Sequence, residues 1–169
     1  MSEVFGITGW KNSGKTTLTA ALVTEFVKRG LVVNTVKHAH ESYAVDVEGT
    51  DTYRHRNAGA SEVAILSKGS WAIMHQGKDG GAAPTLKTML GKLGPSDLVL
   101  VEGFKNVDFP KIECIISKNE TGEAVWKQNK SVVALATDKK DKNCDLPQFQ
   151  LDDVTTIADY ISQKMGLGL

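Results

Sequence analysis

Val4-Phe5-Gly6-Ile7-Thr8-Gly9-Trp10-Lys11-Asn12-Ser13-Gly14-Lys15-Thr16-Thr17 decides the fold of this chain. A short apolar run enters a string that matches G-x-x-x-x-G-K-[ST] from Gly9 to Thr16 without a mismatch. Lys15 to Arg29 then carries Leu18, Leu22, Val23, Phe26 and Val27 on one helical face, Gly30 stops the helix, and Leu31 to Lys37 reads as a β-branched strand. Strand, glycine loop, helix and strand make one βαβ unit. In that geometry the loop's N–H groups and the helix dipole address one anion, which makes the segment a phosphate cradle. Gly9, Asn12, Ser13 and Gly14 shape it, Lys15 reaches the β- and γ-phosphates, the Thr16 hydroxyl ligates Mg²⁺, and Thr17 lies near the α-phosphate.

Outward from this unit, His38 to Gly49 is polar, and Thr50 to Ala58 reads as a short helix with Thr50 as N-cap. Glu62 to Ser67 and Trp71 to Gln76 flank Lys68-Gly69-Ser70 as an antiparallel hairpin, and Lys78 to Gly81 is a loop. Pro84 to Leu93 has helical character, and Leu98 onward is apolar enough for a strand buried on both faces. Lys111 to Ser117 and Ser131 to Thr137 are further strands, with Lys118 to Lys130 between them too polar for core. Val154 to Met165 closes as a helix behind the candidate caps Asp152 and Asp153. The expected fold is α/β, P-loop NTPase-like: a doubly wound, mostly parallel sheet with helices on both faces and a small antiparallel element.

A magnesium triphosphate site needs a carboxylate at the end of a buried strand, and Glu102 is the best placed. Asp46 and Asp51 follow the second strand, where nucleotide-hydrolysing folds keep a loop that senses the γ-phosphate, and the sequence does not choose between them. Asp138-Lys139-Lys140-Asp141 is similar to the guanine-reading N/T-K-x-D pattern, with Asp at its first position; Asp141 would accept from the guanine N1 and N2 hydrogens, with Lys139 beside it. His38 and His40 are spaced for a metal, without a companion cluster. Arg54, His55 and Arg56 suit either an anionic substrate or a solvated face. No general base stands out.

The 169 residues fit one nucleotide-binding domain, 1–169. Twenty Lys+Arg against twenty Asp+Glu leave no global field for nucleic acid or anionic lipid. Two cysteines make neither a disulfide framework nor a zinc quartet. Met1 to Thr8 lacks the regions of a signal peptide, and no apolar run reaches the roughly 18 residues that span a bilayer, so a cytoplasmic chain, complete as given, is expected.

Gly9-x-x-x-x-Gly14-Lys15-Thr16-Thr17-Leu18, Val36-Lys37-His38-x-His40, Asp46 with Gly49-x-Asp51-x-x-Arg54-x-Arg56-x-Ala58-Gly59-Ala60, and Val101-Glu102-Gly103-Phe104-Lys105, in that order, resemble the MobB proteins of molybdenum cofactor biosynthesis. The resemblance implies GTP and Mg²⁺ as ligands, at most slow hydrolysis, and an adapter role beside a MobA-type nucleotidyltransferase that joins GMP to molybdopterin. It implies a homodimer related to dethiobiotin synthetase. In related folds acids matching Glu102 and near Asp51 approach the metal. Many dimeric relatives place a second lysine five residues before the loop lysine; here Trp10 holds that position and Lys11 follows. The competing readings are a small-molecule kinase or ATP-dependent ligase on the same loop, and a scaffold whose loop is a relic.

Overall fold

A computed structural model describes residues 2–39, 46–77, 83–119 and 122–168. They fall into two compact units, Met1–His38 with Leu90–Leu169, and Ala39–Met89.

The first unit is built on a six-stranded sheet. Its strands are β1 (Glu3–Thr8), β2 (Val33–Lys37), β5 (Leu98–Glu102), β6 (Lys111–Ile115), β7 (Val132–Thr137) and β8 (Gln148–Phe149). The order is β2-β5-β1-β6-β7-β8 and all five pairings are parallel. Helix α1 (Lys15–Lys28) links β1 to β2, and α4 (Val154–Met165) closes the chain. Alternate strand residues Phe5, Ile7, Leu98, Leu100, Ile112, Cys114, Ala134 and Ala136 meet Leu18, Leu22 and Phe26 of α1 and Ile157, Ala158 and Ile161 of α4 in one core. Each large side chain sealed there contributes about 1.5–3 kcal/mol of transfer free energy. Every residue of β5 is buried, as its unbroken apolarity requires.

The side chains that alternate with this core build the other face of β6 and β7. There Val125, Val132, Leu135 and Cys144 form a second, smaller cluster. Lys118 to Lys130 is therefore not all surface. The Glu113 carboxylate, fully buried on β6, accepts the N–H groups of Val125 and Trp126 at 2.8 Å each, folding a 3-10 turn, Val125–Lys127, onto the sheet. Cys144, flanked by polar residues in the sequence, is buried in the same cluster. At the end of the chain, Asp153 is the cap of α4, accepting from Thr156 N–H.

The second unit holds α2 (Asp51–Asn57) and the antiparallel pair β3 (Glu62–Ser67) and β4 (Ser70–His75), joined through Lys68-Gly69. Thr50 caps α2 as expected, its hydroxyl accepting from Tyr53 N–H. The helix expected over Pro84 to Leu93 is shorter: α3 covers Leu86–Leu90. Leu86 is its buried residue, whereas Lys87 and Thr88 face solvent, so it lacks the long apolar stripe that stabilises extra turns. The loop reading of Lys78 to Gly81 lies outside the described residues, as does His40.

Candidate functional site

Because the sheet is parallel, β1, β2, β5, β6 and β7 all end on one edge, where α/β sheets bind ligands. The segment after β1 turns sharply there. Gly9 has φ 138°, and a Cβ on it would stand 2.4 Å from the Cys114 carbonyl oxygen, so only glycine lets the loop pass β6. Gly14, at φ 87°, is the N-cap of α1 and brings no side-chain hydrogen bond, nor does the first turn carry an acid. Neither the cap nor the first turn thus supplies a side-chain acceptor to the first amides of α1, which is how a helix terminus takes an anion.

Lys15 Nζ folds back onto the Trp10 carbonyl oxygen, with Ser13 Oγ at 3.5 Å. Burial lowers the Lys15 pKa, and Lys37 adds to this against the raising effects of Cys114 and Glu102. The Thr16 hydroxyl donates to Glu102 Oε1 at 2.8 Å, joining the start of α1 to the end of β5. Lys37, at the end of β2, sets Nζ 3.3 Å from the same oxygen and 3.5 Å from Thr16 Oγ1. A cation is already drawn to the Thr16–Glu102 pair. Thr17 is exposed on the next position of α1.

The loop is latched from β6 and β7. Asn119 Nδ2 donates to the Asn12 carbonyl oxygen at 2.9 Å, and Asn12 takes a left-handed φ of 59°. Asp138 Oδ1 accepts both the N–H and the hydroxyl of Ser117, at 2.9 and 2.8 Å, which fixes the 3-10 turn Ser117–Asn119 carrying that latch. Those two bonds hold the Asp138 carboxyl below its ordinary range. Lys139 and Asp141 line a cavity of about 190 Å³ together with Trp10, Ser13, Asn119 and Trp126. That is small for a whole ligand, whose pockets run to roughly 300–1,000 Å³, and suits one heterocycle. Gln148 fixes the Asp141 backbone at both its N–H and its carbonyl, while Asp141 Oδ1 accepts from Asn143 N–H.

The site residues read from the sequence thus divide. Gly9, Asn12, Ser13, Gly14, Lys15, Thr16, Thr17, Glu102, Lys139 and Asp141 belong to the first unit and its carboxyl edge. Asp46 and Asp51 belong to the second unit. There Asp46 Oδ1 accepts from Val47 N–H and from the hydroxyls of Thr50 and Thr52, while its Oδ2 is buried without a hydrogen-bond partner among the described residues. Asp51 opens α2 and is exposed. Sequence reading missed Lys37, Asn119 and Trp126. Lys37 alone carried a signal, as a cation at a strand end beside a phosphate loop.

A parallel α/β sheet with a glycine loop between its central strand and first helix defines a P-loop-like protein. A family model described as "Molybdopterin guanine dinucleotide synthesis protein B", MobB, matches residues 4–138, and the chain belongs to that family. It is 34% identical over 158 residues to the molybdopterin-guanine dinucleotide biosynthesis adapter protein of Haemophilus influenzae, covering 94% of this chain and 86% of that one. Its counterpart in Escherichia coli is 30% identical over 169 residues, covering 98% and 94%. The crystal structure of Bacillus subtilis MobB shares the fold, with a TM-score of 0.74 at 24% identity over 96% of this chain and 98% of that one.

Proposed function

We propose that the chain works as a GTP-binding adapter in molybdopterin guanine dinucleotide biosynthesis, a single nucleotide-binding domain with at most slow hydrolysis. The observation that carries the nucleotide reading is the uncapped start of α1 beside Lys15, with Thr16 bonded to Glu102 at 2.8 Å. Lys15 would leave the Trp10 carbonyl for the β- and γ-phosphates. The cavity bounded by Lys139 and Asp141 would take the base, Asp141 accepting from guanine N1 and N2 hydrogens.

Mg²⁺ fits the donor set. Thr16 and Glu102 supply hard oxygens, and among the described residues no cluster of three His, Cys, Asp or Glu forms an all-protein cage. That suits an ion held by one or two side chains plus phosphate oxygens. Its chemistry would be to neutralise charge on the phosphates. Asp46 and Asp51 stay as the two alternatives that the sequence offers for a further ligand.

The partners we propose are molybdopterin, a MobA-type nucleotidyltransferase and a second copy of this chain. Support for self-association comes from the hairpin, where Leu66, Trp71 and Ile73 are 79%, 73% and 59% exposed on one face. No helix among the described residues is long and apolar enough to cross a membrane, and we place the protein in the cytoplasm. Titration calorimetry with GTP and ATP, with and without Mg²⁺, tests the reading. Magnesium-dependent GTP binding at least about tenfold tighter than ATP, a gap of about 1.4 kcal/mol, is expected. Equal or tighter ATP binding would favour a kinase or ligase.

A further inference from the structure

Trp10 holds two ammonium groups. Its carbonyl oxygen accepts from Lys15 Nζ, and its indole lies under Lys105 Nζ, 3.4 Å from the ring centroid. Lys105 follows β5 by three residues, in the loop that leaves Glu102. We propose that Lys105 is a second phosphate-binding lysine, resting on the Trp10 ring and moving to the terminal phosphate of a bound nucleoside triphosphate. This rests on the nucleotide reading given above and assigns it a further residue.

The backbone of Lys105 is fixed by hydrogen bonds, while its ammonium rests on a ring face alone among the described residues. The Lys105 carbonyl oxygen accepts from Asn129 Nδ2 at 2.5 Å and from Lys111 Nζ at 3.4 Å. Lys111, fully buried on β6, also donates to the carbonyls of Phe104 and Val107, so one ammonium fastens the loop at three points. At the start of that loop, Gly103 N–H donates to the Ile7 carbonyl at 2.9 Å, tying it to β1 just before the glycine turn. Among the described residues, the Lys105 head meets the indole face. A fixed backbone with a movable cation loses little order on binding, which is the condition for a preorganised anchor.

The indole itself is seated. Trp10 Nε1 donates to the Glu123 carbonyl at 3.0 Å, and a Cβ on Gly122 would stand 2.7 Å from the ring, so the two pack without room for a larger residue. A cation–π contact seats the head, and a charge-assisted bond to phosphate is strong enough to displace it. Burial and the Lys15 charge both lower the Lys105 pKa, with Glu113 opposing them. Two like charges gathered beside one loop are relieved by an anion with several negative oxygens. Lys15 is the lysine for the β- and γ-phosphates, and Lys105 stands on the same residue, which points to the triphosphate end.

Calorimetry of the full chain with GTP and with GDP, on wild type, Lys105→Met, Lys105→Arg and Lys15→Ala, decides the matter. Methionine keeps the length of the stem over the indole, and circular dichroism checks that each variant folds. Lys105→Met should weaken GTP at least about tenfold and GDP less than about threefold, with Lys105→Arg recovering most of the loss. Unchanged GTP affinity in Lys105→Met, or an equal loss for GTP and GDP, overturns the proposal. If wild type binds neither nucleotide, or Lys15→Ala binds as wild type does, the nucleotide reading fails first, and that result is distinct.

Discussion

At the carboxyl edge of the parallel sheet, Lys15, Lys37, Glu102 and Lys105 each rest on a protein partner, whereas the β3–β4 hairpin leaves Leu66, Trp71 and Ile73 mostly in water. The charges of the first region are held beside a core that α1 and α4 seal. The second has strands of six residues with two faces and two edges. A two-stranded hairpin is marginal in water alone, and an exposed apolar face is a place for another surface. In the proposed reading, the sheet unit would hold the nucleotide and the exposed hairpin face would meet a second copy of the chain.

If the sheet unit is self-sufficient, its core must bear the stability. Phe26 is fully buried between α1, α4 and the sheet, so Phe26→Ala should cost about 3–5 kcal/mol in denaturant melts. Trp71→Ala, removing an exposed side chain, should stay within about 0.5 kcal/mol when measured on the monomer. Comparable losses from the two would break the contrast.

A smaller effect separates site from scaffold. Lys15→Ala should lower GTP affinity at least about a hundredfold, or about 2.7 kcal/mol, without changing the melting temperature of the ligand-free protein by more than a few degrees. A folded variant that still binds tightly would remove the loop from the site. For the hairpin, Leu66→Asp with Trp71→Asp should raise the dimer dissociation constant at least about tenfold in sedimentation equilibrium while leaving GTP affinity of the monomer unchanged. A wild-type monomer at every concentration would leave the exposed face unexplained by self-association.

What was legible in the sequence follows from the range of the forces involved. The strand, loop and helix from Val4 to Lys28 are written in local code: glycines where φ is positive, apolar residues at helical spacing, and a lysine with a threonine at the helix start. The hairpin at Lys68-Gly69 and the apolar run of β5 are equally local. Lys111 and Glu113 are not. A charged pair two apart in a strand reads as a wet face, and only the fold brings the carbonyls of Phe104 and Val107 to the Lys111 ammonium and the amides of Val125 and Trp126 to the Glu113 carboxylate. β8 escaped for another reason, since two residues cannot display an alternation. Within the site the phosphate loop and Glu102 could be read, while Lys37, Asn119 and Lys105 come from other strands and loops. Lys37 and Lys105 stand in the segments that carry the family resemblance, but their partners lie 21 and 95 positions away by number, and that of Asn119 lies 107 away, so no local pattern names these contacts.

The smallest effect concerns Asp46 and turns on pH. Burial alone would raise its pKa, but the hydroxyls of Thr52 and Thr50, the Val47 N–H and the charge of Arg56 outweigh that and hold the carboxyl below its ordinary value of about 3.9. A depressed folded pKa adds stability that is present above the unfolded value and fades as pH falls through the folded one. The segment entering α2 should therefore keep its hydrogen bonds at neutral pH and loosen only below about pH 4. A carboxyl-detected NMR titration of wild type, with Asp46→Asn as assignment control, reads this directly. Titration at or above the ordinary aspartate value would mean that the three donors do not hold Oδ1 in solution.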